Sequence, residues 1–405
     1  MSRFLFVMPP LAGHVNPAIG VAVELSRQGH DVAWAGAPEV LRPLAGAGAR
    51  IFPCATPPAD ALVRPQRCHG YAALKFLWER VLVPLAAAME PGVRAAVDAF
   101  APDVLVVDQQ AVAGAVVANR LGLTWATSAS TSAELADPLA ALPKVGEWLR
   151  GVMRELQERF GDPRVGEDLR FSRDLVLAFT TEALTGRGAG DRVQFVGPSI
   201  QNRIHIDFPW CDLDPDRRLV LVTLGTVNTG ARFLSECVAA LEARSDVLQA
   251  VVADPAGALP GSSVNVIVRR RIPQPALLER AAAVICHGGH NTVCEALHHG
   301  VPLVVAPIRD DQPIIADQVA RAGAGVRLRF ARATAAQIGP ALDAVLGEPG
   351  FREGAAAVRE SFRDAGGAVT AAASLVQLAD RAREAVPAVR SAFASNEPGI
   401  SRSRR

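Results

Sequence analysis

Short, wholly apolar runs alternate with longer segments of helical period along nearly the whole chain, and this pattern limits the fold more than any other feature. Strand-sized apolar runs suit strands buried on both faces. The helical segments between them supply crossovers, so the pattern is that of βα units around parallel sheets. Phe4–Met8 reads as the first strand and Asp31–Ala35 as the second, followed by Val104–Val107, Leu175–Phe179 and Val193–Val196. From Asn16 to Gln28, Ile19, Ala22, Val23 and Leu25 recur at helical spacing, and Gly29 ends the segment as a C-cap would. A helix from about Val112 to Leu121 follows the strand that ends at Asp108. After a polar stretch with Pro209 and Pro215 the pattern restarts. Leu219–Leu224, Gln249–Ala253, Asn265–Val268, Ala283–Cys286 and Leu303–Ala306 read as strands. Ala231–Ala243, Pro275–Ala281, Asn291–His299 and a last segment, Leu375–Val386, read as helices.

At 405 residues the chain exceeds one ordinary domain. The expected division is a first α/β domain over residues 1–205, a linker over 206–217, a second α/β domain over 218–385 and a disordered tail over 386–405. The last helix is free to pack back on the first domain. A net charge of +1 and a single tyrosine, Tyr71, speak against nucleic acid as a partner. No run approaches the roughly 20 apolar residues of a membrane helix. No small-residue cleavage site follows the first apolar run. The six cysteines lack CxxC spacing. Reduced thiols in a cytoplasmic protein, with no metal site, are the expectation.

Three constellations carry chemistry. In the first, the strand Phe4–Met8 gives way to Pro9-Pro10-Leu11-Ala12-Gly13-His14, with His14 just before a helix. Loops at the carboxyl ends of strands in open α/β sheets are where ligands bind. A neutral imidazole there can take a proton, provided its other nitrogen is held by a carboxylate. Asp108, at the end of another strand, is the candidate partner. Each alone is also consistent with a solvated loop histidine or a helix-capping aspartate.

The second constellation is Cys286-His287-Gly288-Gly289-His290-Asn291-Thr292-Val293-Cys294-Glu295. The glycines let backbone approach a ligand, and the amides of Asn291 and Thr292 open a helix, a ready site for a diphosphate. His287 can donate another hydrogen bond. Glu295 lies one turn on, with a carboxylate suited to ribose hydroxyls. Thr226, closing Leu219–Leu224, offers a further phosphate contact, though a plain turn explains it equally well. The third is Asp311-Gln312 after Leu303–Ala306, acceptor and amide groups that suit sugar hydroxyls. Phe76, Trp78 and Trp148 lie in long insertions of the first half and are candidates for an apolar acceptor pocket, with peripheral packing as the plain alternative.

From Ile272-Pro273-Gln274 through His287-Gly288-Gly289 and Glu295 to Asp311-Gln312, the chain resembles the nucleotide-sugar glycosyltransferases of the macrolide and UDP-glycosyltransferase type. The first half is similar to that family's opening strand, loop and histidine. The resemblance covers nearly all of residues 1–385. It implies the GT-B arrangement, two Rossmann-like domains whose parallel sheets face each other across a cleft. The first would bind the acceptor and the second the nucleotide sugar. It further implies inversion at the anomeric carbon without a metal or other cofactor, UDP or TDP being part of the co-substrate. By resemblance His14 is the base and Asp108 its partner. Gln274 touches the nucleobase. Thr226, His287, Gly288, Gly289, Asn291 and Thr292 hold the diphosphate, Glu295 the ribose, and Asp311 and Gln312 the sugar. Two positions depart from the family pattern. Arg271 stands where many members carry a Trp that stacks on the base, leaving uridine against thymidine open; a guanidinium plane also stacks. Ile315 stands where an Asn is frequent.

The expected function is sugar transfer from a UDP- or TDP-sugar to a hydroxyl of a small apolar natural-product aglycone, with a homodimer compatible with the sequence. Alternatives on the same fold are a catalytically silent partner of another glycosyltransferase and a sugar-nucleotide epimerase. A nicotinamide dehydrogenase is disfavoured. The first loop lacks G-x-G-x-x-G, and Asp31–Ala35 ends without an acidic residue for a ribose.

Overall fold

The structure, a computed structural model, describes residues 1–58, 70–135, 139–164, 168–186, 190, 192–200, 206–225 and 228–394, with side chains to residue 384. Strands β1 (Arg3–Val7), β2 (Asp31–Gly36), β3 (Ile51–Pro53), β4 (Val104–Asp108), β5 (Trp125–Ala129), β6 (Val176–Ala178) and β7 (Val193–Phe195) form one parallel sheet, ordered β3-β2-β1-β4-β5-β6-β7. Strands β8 (Arg218–Thr223), β9 (Leu248–Ala253), β10 (Val266–Arg269), β11 (Ala281–Cys286), β12 (Leu303–Val305) and β13 (Gly325–Arg327) form a second, ordered β10-β9-β8-β11-β12-β13. Both are Rossmann-like: each starts in the middle, winds outward to one edge, then returns and winds to the other. Strand order therefore reverses between β1 and β4 in the first sheet and between β8 and β11 in the second.

Alternation along β1 shows why its apolar run is continuous. Leu5 and Val7 pack on one side with Met89 and Val93 of the helix Val83–Phe100. Phe4 and Phe6 pack on the other with Val15, Val21 and Leu25 of the helix Ala12–Arg27. Each such side chain contributes about 1.5–3 kcal/mol by leaving water. Ala371, Leu375 and Ala379 from the end of the chain join Phe4 and Phe6 in that second core, so the last helix lies on the first half of the protein.

Three differences from the sequence-based expectation bear on the site. The first helix begins at Ala12, not Asn16, with Leu11 as its N-cap, so His14 lies inside its first turn. Pro17 lies inside the second turn, where it leaves the Gly13 carbonyl without its helical partner but does not end the helix. The last helix spans Gly367–Ala394 rather than Leu375–Val386. Pro387 removes one hydrogen bond from this helix without ending it. Residues 386–394 are thus helical, not an irregular tail, and 395–405 lie outside the described residues. Third, Trp78 faces no open surface. It sits in a π-helical turn, Leu77–Leu82, is 1% exposed and packs in the core with Leu82, Leu85 and Met153. It is withdrawn as an acceptor residue, because its indole is buried in that core. Its Nε1 has no hydrogen-bond partner among the described residues. Trp78→Phe therefore trades a little volume for removal of an unsatisfied N–H. Its unfolding free energy is expected within about 1 kcal/mol of the parent, measured by urea titration. Phe76 and Trp148 are half-buried, and Trp148 packs edge-on against Tyr71 with ring centres 5.6 Å apart.

Candidate active site

The β1–β4 reversal point holds His14 and Asp108. Val7 pairs with Val107 in the ladder, so the loop after β1 and the end of β4 emerge side by side. Asp108 is fully buried; its Oδ1 accepts the Gln110 amide at 2.8 Å. Its two carboxylate oxygens lie 3.0 and 3.1 Å from His14 Nδ1. With Nδ1–H donated to that carboxylate, Nε2 carries the free lone pair. Ser130 Oγ, just past β5, also lies 2.7 Å from Nδ1. Burial favours the neutral ring of His14. The charge and hydrogen bond of Asp108 outweigh this, with Asp311 and Glu134 adding, and its pKa is raised above 6.5.

The β8–β11 reversal point holds the glycine turn. Cys286 pairs with Thr223, which sets His287 beside the end of β8. Gly288 has a φ of 84°, and a Cβ on it would stand 2.9 Å from Val305 Cγ1. A Cβ on Gly289 would stand 2.5 Å from His287 Nε2. Gly289 caps the helix His290–His298 with no side chain over its end, and the amides of His290, Asn291 and Thr292 fall in the first turn, where a helix offers them no partner. Burial lowers the His287 pKa to about 4, so the ring is neutral, and its Nδ1 has no partner among the described residues. Thr226 lies outside the described residues.

Glu295, 4% exposed, accepts from Gln274 Nε2 at 2.7 Å, so the residues assigned to ribose and base touch each other. Arg271 is exposed at the end of β10. Gln312 Oε1 accepts the amides of Ile308 and Arg309 at 2.9 and 3.0 Å. Its oxygen braces its own loop, and only its amide nitrogen is left to face a ligand. Ile315 is fully buried, so no polar contact is missing from the surface there.

Contacts among the described residues join the two sites, and their partners are not evident from sequence. Pro17 has no N–H to return to the carbonyl of Gly13 four residues earlier. That carbonyl instead accepts from Asn291 Nδ2 at 2.6 Å, which brings the glycine-turn helix against the residue next to His14. The side chain of Asn291 is thus engaged with protein, and its amide is what remains for an anion. Thr131 Oγ1 donates to Asp311 Oδ2 at 2.6 Å, and Ser132 Oγ to Gln318 Oε1 at 2.6 Å. His290, kept neutral by burial with its pKa down to about 4, lies 3.3 Å from Ser132 Oγ. Its ring therefore faces the other half, away from any phosphate. The run Ser130-Thr131-Ser132 at a strand end was the available signal. β5, Trp-Ala-Thr-Ser-Ala, has no apolar run to mark it as a strand, so the hydroxyl run carries no strand-end signal from its sequence alone.

Comparison with known proteins places this geometry. Residues 230–376 match the C-terminal domain of the erythromycin biosynthesis protein CIII-like family. The 4'-demethylrebeccamycin synthase of Lentzea aerocolonigenes is 32% identical over 90% of this chain and 97% of its own length. The chain belongs to the macrolide and UDP-glycosyltransferase family. Solved glycosyltransferases share its architecture. That of kitacinnamycin superposes with a TM-score of 0.79 at 25% identity, over 93% of this chain and 99% of that one. Spinosyn rhamnosyltransferase SpnG complexed with thymidine diphosphate superposes with a TM-score of 0.71 at 26% identity, again over 93% and 99%. This glycosyltransferase accordingly has the GT-B fold, and no helix among its described residues is long and apolar enough to cross a membrane.

Proposed function

We propose that this glycosyltransferase moves a sugar, with inversion, from a TDP- or UDP-sugar to a hydroxyl of a small apolar natural-product acceptor, with His14 as general base. The observation that carries the reading is the Asn291–Gly13 contact. It sets a helix start able to hold a diphosphate directly against the turn that bears a carboxylate-held imidazole. The acceptor oxygen attacks the anomeric carbon as its proton passes to His14 Nε2. The bond to the diphosphate breaks, and its electron pair leaves with the phosphate. Asp108 stabilises the imidazolium, and the first-turn amides with His287 meet the charge growing on the leaving group. The sugar passes through an oxocarbenium-like state. No metal is assigned a step. Rebeccamycin-type synthase as a relative, and thymidine diphosphate bound to a structural neighbour, support the acceptor class and the TDP alternative.

The test is nucleoside diphosphate release with TDP- and UDP-hexoses and a panel of aromatic and macrolide aglycones, with the product anomer read by NMR coupling. Acceptor-dependent release and an inverted linkage are expected. Donor consumption without acceptor would support the epimerase alternative, and binding without turnover the silent partner. Retained configuration would end the inverting mechanism.

The base must be neutral, and the pKa of His14 is raised. The logarithm of kcat/KM should therefore climb with pH through an inflection above 6.5 and then level off. Asp108→Asn removes the charge that holds the proton, so the inflection should move down. An unmoved inflection in that variant would assign the limb to another group.

A further inference from the structure

The carboxylate of Asp311 is aimed by two departures from ordinary helix-start behaviour. Asp310, just before it, has a φ of 57°, in the left-handed region that non-glycine residues seldom occupy. Asp311 then stands at the N-cap of the helix Gln312–Arg321, yet its side chain makes no hydrogen bond to that helix. An N-cap aspartate ordinarily accepts from the second or third amide. Here the carboxylate is turned across to the first half of the enzyme, onto Thr131. Thr131 is itself held from behind. Its amide donates to Gln109 Oε1 at 3.3 Å, and its hydroxyl oxygen accepts the Ala133 amide at 3.4 Å, which leaves the hydroxyl proton for Asp311. Gln109 in turn follows Asp108, the partner of His14, and donates to Glu134 Oε2 at 3.1 Å.

We propose that Thr131 is a positioning residue for Asp311: the acceptor-side half holds the carboxylate that grips the donor's sugar, so the sugar moiety is bound fully only when the two halves meet. This rests on the reading of Asp311 as a sugar ligand. A carboxylate offers about four lone-pair positions. Thr131 uses one and the amide of Asp311 itself another, and the others are left for sugar hydroxyls in a fixed direction. Burial raises the Asp311 carboxyl above its ordinary value. The Thr131 hydrogen bond opposes that rise; of the neighbouring charges, Asp310 adds to it and His14 counters it. Without the Thr131 hydroxyl the carboxyl rises further. A protonated Asp311 loses an acceptor, so sugar affinity should then fail at higher pH.

The test titrates nucleoside diphosphates and sugar nucleotides in parallel against the full-length parent, Thr131→Val, Thr131→Ala and Thr131→Ser. It uses TDP and UDP with the hexose derivative that the parent binds most tightly. The Val and Ala variants should bind the sugar nucleotide about tenfold more weakly, the loss of one charge-assisted hydrogen bond, and the bare diphosphate as the parent does. Thr131→Ser should restore most of the difference. The acid limb of sugar-nucleotide affinity should lie at higher pH in Thr131→Val than in the parent. Equal weakening of both ligands, weakening of neither, or tighter binding of the sugar nucleotide by the Val and Ala variants would overturn the inference while leaving the diphosphate site intact. A parent that binds neither TDP nor UDP would remove the donor-site reading, and the inference with it.

Discussion

With a hydroxyl acceptor, His14→Ala should turn over about 10²–10⁴-fold more slowly than the parent, while its affinity for TDP or UDP stays that of the parent. The separation follows from the geometry. His14 lies at the β1–β4 reversal point, in the first half, and the groups assigned to the diphosphate lie at the β8–β11 reversal point, in the second. The imidazole is held at one nitrogen by Asp108 and has no partner among the described residues at the other, so its removal should take away proton transfer and little binding energy. An acceptor that presents an already ionised phenolate should lose much less, because no proton has to move. A variant that keeps full activity with a neutral alcohol would remove His14 from the base role. One that loses donor binding as strongly as turnover would make it a structural residue.

Gly288→Ala should disable the donor side. The positive φ costs a side-chain-bearing residue about 1–3 kcal/mol, and the added Cβ would meet Val305 Cγ1 at 2.9 Å and the Gln312 carbonyl oxygen at 3.2 Å. Both neighbours belong to the packed β12 side and cannot withdraw without moving the 308–312 loop, which Gln312 Oε1 braces. The turn must shift and take the first-turn amides of the His290–His298 helix with it. A protein that still folds, with a midpoint a few degrees lower, and that binds nucleoside diphosphate at least about 30-fold more weakly is expected, since several charge-assisted hydrogen bonds depend on those amides. Calorimetric titration checks this. Unchanged affinity would mean that the phosphates do not sit on this turn.

The sequence made the architecture legible because buried parallel strands leave continuous apolar runs. β1, β4, β8 and β11 all read that way, and the chemistry-bearing residues stand at their ends. Strands with less apolar length leave no such signal. β3 and β13 are three residues long, and β5 carries Thr127 and Ser128 in its centre. Missing β5 hid the Ser130–Ser132 segment, whose hydroxyls reach His14, Asp311 and Gln318 in turn. Trp78 misled for the opposite reason. A large aromatic in an insertion reads as a ligand contact, but the helix turn that carries it points inward, and sequence spacing through a π-helical turn does not give that direction. The partners of the cross-half contacts had no local signal. That Pro17 frees the Gly13 carbonyl can be read from the helix rule, but its acceptance of Asn291 from a residue 278 positions away cannot.

A crystal structure of the full chain with TDP or UDP bound is the most direct measure of the central claim. The account expects the two phosphates within hydrogen-bond reach of the backbone amides at residues 289–292, with the terminal phosphate on the side that faces His14 Nε2. Phosphates seated elsewhere, or an imidazole turned away from them with its Nε2 bound to protein, would contradict it.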